Sequence, residues 1–269
     1  MSRISESFAS LKREGRRGLI PFITAGDPNI KTTRELLLRL ARAGSDLIEL
    51  GVPFSDPIAD GPVIQRASER ARRNRISVSE ILEMVEDVRS QINVPLVIFS
   101  YLNPLFQFGV GSFAREAARA GVDGVLITDL PLEETGEFSA ELSENSLDLI
   151  LLVAPTSTDE RLRSIASKAS GFIYAVSRTG VTGATAQLSN EAEKLVARVR
   201  TVSDLPVAVG FGIFTADQVA DVWRYADAAV VGSAIVAEIE RNAGRPDLVQ
   251  RVEEFVRSLV PGRLAAPQP

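Results

Sequence analysis

Eight short, β-branched apolar runs recur at near-regular intervals, with stretches of helical spacing between them, and this alternation limits the fold more than any other feature. The runs are Leu19–Thr24, Leu47–Leu50, Pro95–Ser100, Gly124–Ile127, Leu147–Val153, Phe172–Val176, Pro206–Val209 and Ala228–Val231. Each is apolar almost without interruption, the pattern of a strand covered on both faces. Between them, Thr32–Ala43 sets Leu36, Leu37, Leu40 and Ala43 on one stripe, and Ser79–Val88 does so with Ile81, Leu82, Val85 and Val88. Ser77 and Glu80 have the spacing of a capping box ahead of that second helix. Leu188–Val199 and Thr215–Trp223 repeat the pattern, with Thr215 as a cap.

Strands alternating with helices leave an open doubly wound sheet or a closed barrel. Eight strands within about 230 residues favour the barrel, and no G-x-G-x-x-G follows the first strand. The expectation is an α/β fold: one (β/α)8 TIM-barrel domain over residues 1–269, with an extra helix at each end and a frayed tail, Gly262–Pro269.

Composition narrows the chemistry. The net charge of −5, with arginines spread along the helices, argues against a nucleic-acid or membrane surface. No apolar run is long enough to span a bilayer and Met1–Gly15 does not read as a secretory signal, so a cytoplasmic location is expected. There is no cysteine and no histidine, which removes thiolate chemistry together with the commonest general base and metal ligand. The only lysines, Lys12, Lys31, Lys168 and Lys194, fall in predicted helices.

Barrel enzymes build their sites at the C-terminal ends of the strands. The second strand ends there with Glu49, whose carboxyl faces either the barrel mouth or the helix layer. A charge in an apolar strand is costly unless it is paired or used, so a structural ion pair and a functional acid are the two readings. The loop that follows, Val52–Pro62, carries Asp56 and Asp60 as turn formers or as acids, and it is long enough to fold Asp60 back over the mouth opposite Glu49. Gly210-Phe211-Gly212 after the seventh strand and Gly232-Ser233 after the eighth suit a phosphate held by backbone amides, with Ser233 opening a helix over Ala234–Glu240. Ser177–Leu188, small and polar with Gly180 and Gly183 as hinges, has the composition of a lid or of an ordinary exposed loop.

In order, these residues resemble the α subunit of tryptophan synthase. The resemblance runs through Pro21–Pro28, Glu49–Pro57, Ala59–Pro62, Tyr101–Pro104, Asp129–Pro131, Ala154–Thr156, Ser177–Gly183, Gly210–Gly212 and Gly232–Ala234, nearly the whole chain. It implies retro-aldol cleavage of indole-3-glycerol phosphate to indole and glyceraldehyde 3-phosphate. Glu49 would be the general acid–base at indole C3 and the glycerol hydroxyl, and Asp60 would accept the indole N–H. Tyr174 would lie near the cleaved bond, and Thr182 would orient Asp60. Gly183, Gly212, Gly232 and Ser233 would hold the phosphate. Phe22, Ile64, Phe99, Leu126 and Phe211 would form the indole slot.

The inventory agrees with that chemistry. A Schiff-base route wants a lysine at a strand end, and a metal-dependent aldolase would be expected to use histidine ligands. The remaining electron sink is the substrate's own indole, protonated at C3. That requires a protonated Glu49 and an ionised Asp60. The resemblance further implies a β-subunit partner in an α2β2 heterotetramer, with pyridoxal phosphate only on that partner and no cofactor or metal in this chain. Matching contact positions are Pro53, Asp56, Asn103, Phe106 and Pro131. The rival reading is a stand-alone lyase with the same residues and no β partner.

Overall fold

The computed structural model describes residues 2–176, 190–210 and 212–260. Eight parallel strands close into a barrel in sequence order, β1 (Gly18–Thr24), β2 (Ile48–Gly51), β3 (Leu96–Ser100), β4 (Gly124–Ile127), β5 (Asp148–Val153), β6 (Ile173–Val176), β7 (Val207–Gly210) and β8 (Ala228–Val231). β8 returns to β1 in the register Ile20 to Val230 and Pro21 to Val231. The expected strands are all present. Leu47, Pro95, Leu147, Phe172 and Pro206 fall just outside them, whereas Gly18, Gly51 and Gly210 are drawn into the ladder. A proline has no N–H to give a ladder, which accounts for the starts after Pro95 and Pro206.

Helices α1 (Arg3–Arg13), α2 (Ile30–Ala43), α3 (Pro62–Arg73), α4 (Val78–Arg89), α5 (Leu102–Phe108) and α6 (Val110–Ala120) accompany the first half of the barrel. The second half carries α7 (Thr135–Glu144), α8 (Asp159–Lys168), α9 (Asn190–Arg200), α10 (Ala216–Trp223), α11 (Ser233–Asn242) and α12 (Leu248–Ser258). The capping box at Ser77 and Glu80 is formed on both sides. Thr215 caps α10, and Gln218 completes a second box there. Ser233, by contrast, is the first residue of α11 rather than its cap, because Gly232 holds the cap position and offers no side chain. The N-terminal part of the predicted Leu188–Val199 helix, the Ser177–Leu188 loop, Phe211 and the Gly262–Pro269 tail lie outside the described residues.

The barrel explains why its strands read as unbroken apolar runs. Leu19, Ile23, Ile48, Leu50, Leu96 and Ile98 pack outward against the helices in one buried cluster. Ile20, Phe22, Leu47, Val97, Phe99, Leu126, Ile150 and Tyr174 pack inward in another. Helix α1 seals the N-terminal end: Ile4, Phe8 and Leu11 join the inward cluster, and the Phe8 ring lies 5.7 Å from that of Phe172. With that end closed, the interior is reached from the C-terminal ends of the strands. At the other terminus α12 packs on α2.

Candidate active site

Glu49 sits on the inward face of β2. Its neighbours in register are Phe22 on β1 and Val97 on β3, both in the inward cluster. The side chain is 0 % exposed, and among the described residues neither carboxyl oxygen has a hydrogen-bond partner. This settles the choice that alternation left open: the acid points into the barrel, and among the described residues no cation meets it there. Desolvation penalises the charged form, so its pKa is pushed up to about 8. A carboxyl group in this setting holds its proton at neutral pH.

Asp60 reaches the same region from the loop between β2 and α3. That loop is pinned by side chains from three directions. The Phe54 amide donates to Ser68 Oγ on α3 at 2.9 Å, the Phe54 ring stacks on Tyr101 at 5.1 Å, and the Ala59 amide donates to the Tyr101 hydroxyl at 3.0 Å. Gln65 Nε2 adds a bond to the Asp60 carbonyl at 2.9 Å. Burial raises the Asp60 pKa to about 6, and a hydrogen bond from the Tyr101 hydroxyl restrains that rise. The two carboxyl groups therefore differ in protonation near pH 7.

Tyr174 lies within electrostatic reach of both. It is buried on the inward face of β6, and burial is the main reason its hydroxyl is held neutral, with Glu49 and then Asp60 adding negative potential. Its ring fills the space that a side chain at residue 210 would need: a Cβ there would lie 2.0 Å from the Tyr174 hydroxyl oxygen. Gly51 makes the same allowance for Phe22, whose ring would be 2.5 Å from a Cβ.

The apolar residues expected around a ligand ring also converge. Phe22, Ile64, Phe99 and Leu126 belong to the inward cluster with Tyr174, and the Phe22 and Phe99 rings meet edge to face at 5.1 Å. Leu152, Val176 and Val230, which the sequence reading did not single out, extend this wall. Gly232 packs beside Phe22, its Cβ position 3.5 Å from the Phe22 Cβ and Cδ1. Among the described residues no capping side chain answers the first amides of α11, which leaves them free to donate to an anion. Gly212 has φ +81° with open space around it, a backbone state that disfavours any side chain. Thr182, Gly183 and Phe211 fall outside the described residues.

Tyr101 is the functional neighbour that sequence reasoning passed over. It was visible as the residue after the third strand, the position at which barrels place site residues, and as the first residue of the Tyr101–Pro104 stretch, but without a role. Lys12, Lys31, Lys168 and Lys194 lie in α1, α2, α8 and α9, away from strand ends. Among the described residues no three acidic side chains gather as a metal-binding group. Pro53, Asp56, Asn103, Phe106 and Pro131 sit on the β2–α3 loop, on α5 and on the turn after β4, all on the rim of the mouth. The two exposed large hydrophobic side chains among the described residues, Ile58 at 71 % and Phe106 at 61 %, lie on that same rim.

The family model of the tryptophan synthase alpha chain matches residues 8–261. The alpha chain of Citrifermentans bemidjiense is 48 % identical over 264 residues, covering 98 % of each chain. The crystal structure of tryptophan synthase subunit alpha from Legionella pneumophila superposes with a TM-score of 0.88 at 37 % identity, over 96 % of this chain and 97 % of that one. A chain of the tryptophan synthase complex from Pyrococcus furiosus does so with a TM-score of 0.82 at 36 % identity, over 90 % and 97 %. With a barrel of this topology, an inward acid on β2, a second acid on the loop that follows and a match over nearly its full length, the chain belongs to the tryptophan synthase alpha chain family.

Proposed function

We propose that Glu49 and Asp60 divide the chemistry of carbon–carbon cleavage between a proton donor and a fixed anion. As a member of its family the chain is a lyase of tryptophan biosynthesis, which splits indole-3-glycerol phosphate into indole and glyceraldehyde 3-phosphate. The observation that carries the division of labour is the fully buried Glu49 carboxyl, without a partner among the described residues, and an Asp60 of lower pKa that acts on the same Tyr174 hydroxyl.

The neutral Glu49 carboxyl gives its proton to indole C3, turning the ring into an indoleninium whose N–H is held by the Asp60 carboxylate. The ionised Glu49 then takes the proton of the hydroxyl next to the bond to be broken. As that oxygen forms the aldehyde carbonyl, the pair of the carbon–carbon bond returns to the ring and restores neutral indole. Glu49 ends the cycle protonated. Phe22, Ile64, Phe99, Leu126 and Phe211 enclose the ring. Tyr174 borders the cleaved bond, and Thr182 steadies Asp60 from the segment after β6. Gly183, Gly212, Gly232 and Ser233 receive the phosphate.

The partner is a tryptophan synthase beta subunit, in an α2β2 heterotetramer of the cytoplasm, docked on the rim that carries Pro53, Asp56, Asn103, Phe106 and Pro131. Exposure of Ile58 and Phe106 on that rim supports the docking, as does the similarity to a chain of the P. furiosus complex. Pyridoxal phosphate belongs to that partner, and this chain's own step needs neither cofactor nor metal. No described helix is long and apolar enough to cross a membrane.

Indole release from indole-3-glycerol phosphate by the purified chain tests these assignments, with and without EDTA and with and without a beta subunit. Glu49→Gln should abolish release while phosphate-dependent binding survives. EDTA-sensitive turnover, or full turnover by the Gln variant, would refute them. Turnover unaffected by any beta subunit would favour the stand-alone lyase.

A further inference from the structure

Buried polar side chains in folded proteins are almost always hydrogen-bonded, so each exception asks for a reason. Among the described residues the exceptions are Thr24 Oγ1, both oxygens of Glu49 and the Tyr225 hydroxyl. Tyr225 packs in the outer layer, against the helix-facing cluster. The other three atoms belong to the C-terminal ends of the adjacent strands β1 and β2. Thr24 is only 3 % exposed, so bulk solvent does not reach it.

Register and alternation fix where Thr24 stands. Leu19 and Ile23 of β1 face the helices, whereas Ile20 and Phe22 face the interior, so Thr24 continues the interior row. Phe22 pairs with Glu49 and Thr24 pairs with Gly51, which puts Thr24 one step nearer the mouth than the acid. Gly51 brings no side chain of its own, and the Phe22 ring occupies the place of its absent Cβ. Phe22 thus has Glu49 in register on one side, Gly232 against its Cβ on the other, and Thr24 above it in the same row. A molecule with its reacting carbon at Glu49 and its phosphate at Gly232 passes across that row.

We infer that the Thr24 hydroxyl is a specificity contact for the substrate's glyceryl chain, binding the hydroxyl nearer the phosphate. This rests on the reaction assigned above. The substrate carries two hydroxyls between ring and phosphate. Glu49 handles the one that becomes the aldehyde. The other survives into the product and needs a partner that both donates and accepts, which a threonine hydroxyl does. Valine has the same shape and leaves no unsatisfied oxygen, so retaining threonine in a buried apolar row costs stability without a ligand. A site built to bond a substrate hydroxyl discriminates strongly against an analogue that lacks it.

The test compares Thr24→Val and Thr24→Ser with the parent chain, on indole-3-glycerol phosphate and on its analogue lacking the phosphate-proximal hydroxyl. Cleavage of the natural substrate by the parent chain tests the reaction itself, and the variants test Thr24 alone. Val should lower kcat/KM for the full substrate about tenfold, the loss of one hydrogen bond, and leave the analogue's kcat/KM unchanged. Its Tm should equal or exceed that of the parent. Ser, which keeps the oxygen and loses the methyl group, should recover most of the lost kcat/KM. Unchanged turnover by Val overturns the inference. So does a Ser variant as poor as Val, because the methyl group is then what matters. Equal losses on substrate and analogue overturn it too, because the hydroxyl is then acting on a protein group such as Asp60.

Discussion

Replacing Glu49 by Gln should make the chain more stable as well as inactive, and the gain should grow with pH. In the folded state the Glu49 pKa is raised from 4.5 to about 8 by burial alone. A raised carboxyl pKa means that the folded chain binds the proton more tightly than the unfolded chain does. Below about pH 4.5 both states are protonated and Glu49 costs nothing on this account. As pH rises the unfolded chain ionises there and the folded chain does not, so stability falls until about pH 8 and then levels off. At 1.36 kcal/mol per unit, the cost is about 3 kcal/mol at pH 7 and about 5 kcal/mol above pH 8. Gln has nearly the same volume and does not titrate.

The measurement is urea unfolding of both proteins followed by circular dichroism at several pH values between 5 and 8.5. Taking the difference between variants at each pH removes contributions from every other titrating group they share. The stability of Glu49→Gln relative to the parent should climb by roughly 1.4 kcal/mol per pH unit between pH 5.5 and 7, then flatten above 8. Turnover should meanwhile fall by at least about a hundredfold, the usual scale for loss of a general acid–base. A difference that stays level with pH would mean that Glu49 titrates normally, and the division of roles between the two acids would fail with it.

The same two values set the pH profile: kcat/KM should rise as Asp60 ionises near pH 6 and fall as Glu49 loses its proton near pH 8, giving a bell that a flat profile from pH 5 to 9 would contradict. Tyr101→Phe removes the hydrogen bond that holds the Asp60 pKa down, so only the acid limb should move, toward higher pH. Gly210→Ala should lower kcat and destabilise by about 1–3 kcal/mol, because its Cβ would lie 2.0 Å from the Tyr174 hydroxyl oxygen; a wild-type Tm and kcat would show that the ring yields freely. At Gly232 a Cβ finds ordinary contact at 3.5 Å, so Ala should fold normally, whereas Val should raise KM at least about tenfold with little change in Tm. Phe106→Asp, on the rim, should leave the isolated chain's Tm and turnover intact and abolish activation by a beta subunit in a mixing assay.

What the sequence made legible is what burial on two faces enforces. The strands were readable because alternate residues serve two apolar layers, and their bounds shifted by one residue where prolines could not donate or a glycine extended the ladder. Helix α3 was less legible. Its exposed face carries Arg66, Glu69, Arg72 and Arg73, and its start at Pro62 continues a proline-rich loop. Periodicity could not say which face Glu49 occupies, because both layers around β2 are equally apolar; barrel closure, with Phe22 and Val97 inward beside it, decides that. The acids' unequal protonation was required by the chemistry but was invisible in the sequence. It depends on what is absent around Glu49 and on a hydroxyl from Tyr101 that reaches back over 42 residues to Ala59.

Burial of one acid and support of the other follow from where each is attached. An acid on an inward strand position is walled by side chains from neighbouring strands, and in a barrel those are apolar. Glu49 consequently keeps its proton with nothing to replace water. An acid on a loop can collect donors, and Asp60 collects Tyr101. The raised pKa also acts on the second half of the cycle. A group that holds its proton to about pH 8 is a weaker acid than an ordinary carboxyl, but its conjugate base is stronger in the same measure. In the cycle proposed above, once the proton is on the indole ring the ionised Glu49 is a buried charge beside a cationic ring, and taking the hydroxyl proton removes it. The relief is largest as the carbon–carbon bond opens, so the desolvation that weakens the first proton transfer drives the second. A chain without histidine thereby obtains an acid and a base matched to neutral pH from one glutamate.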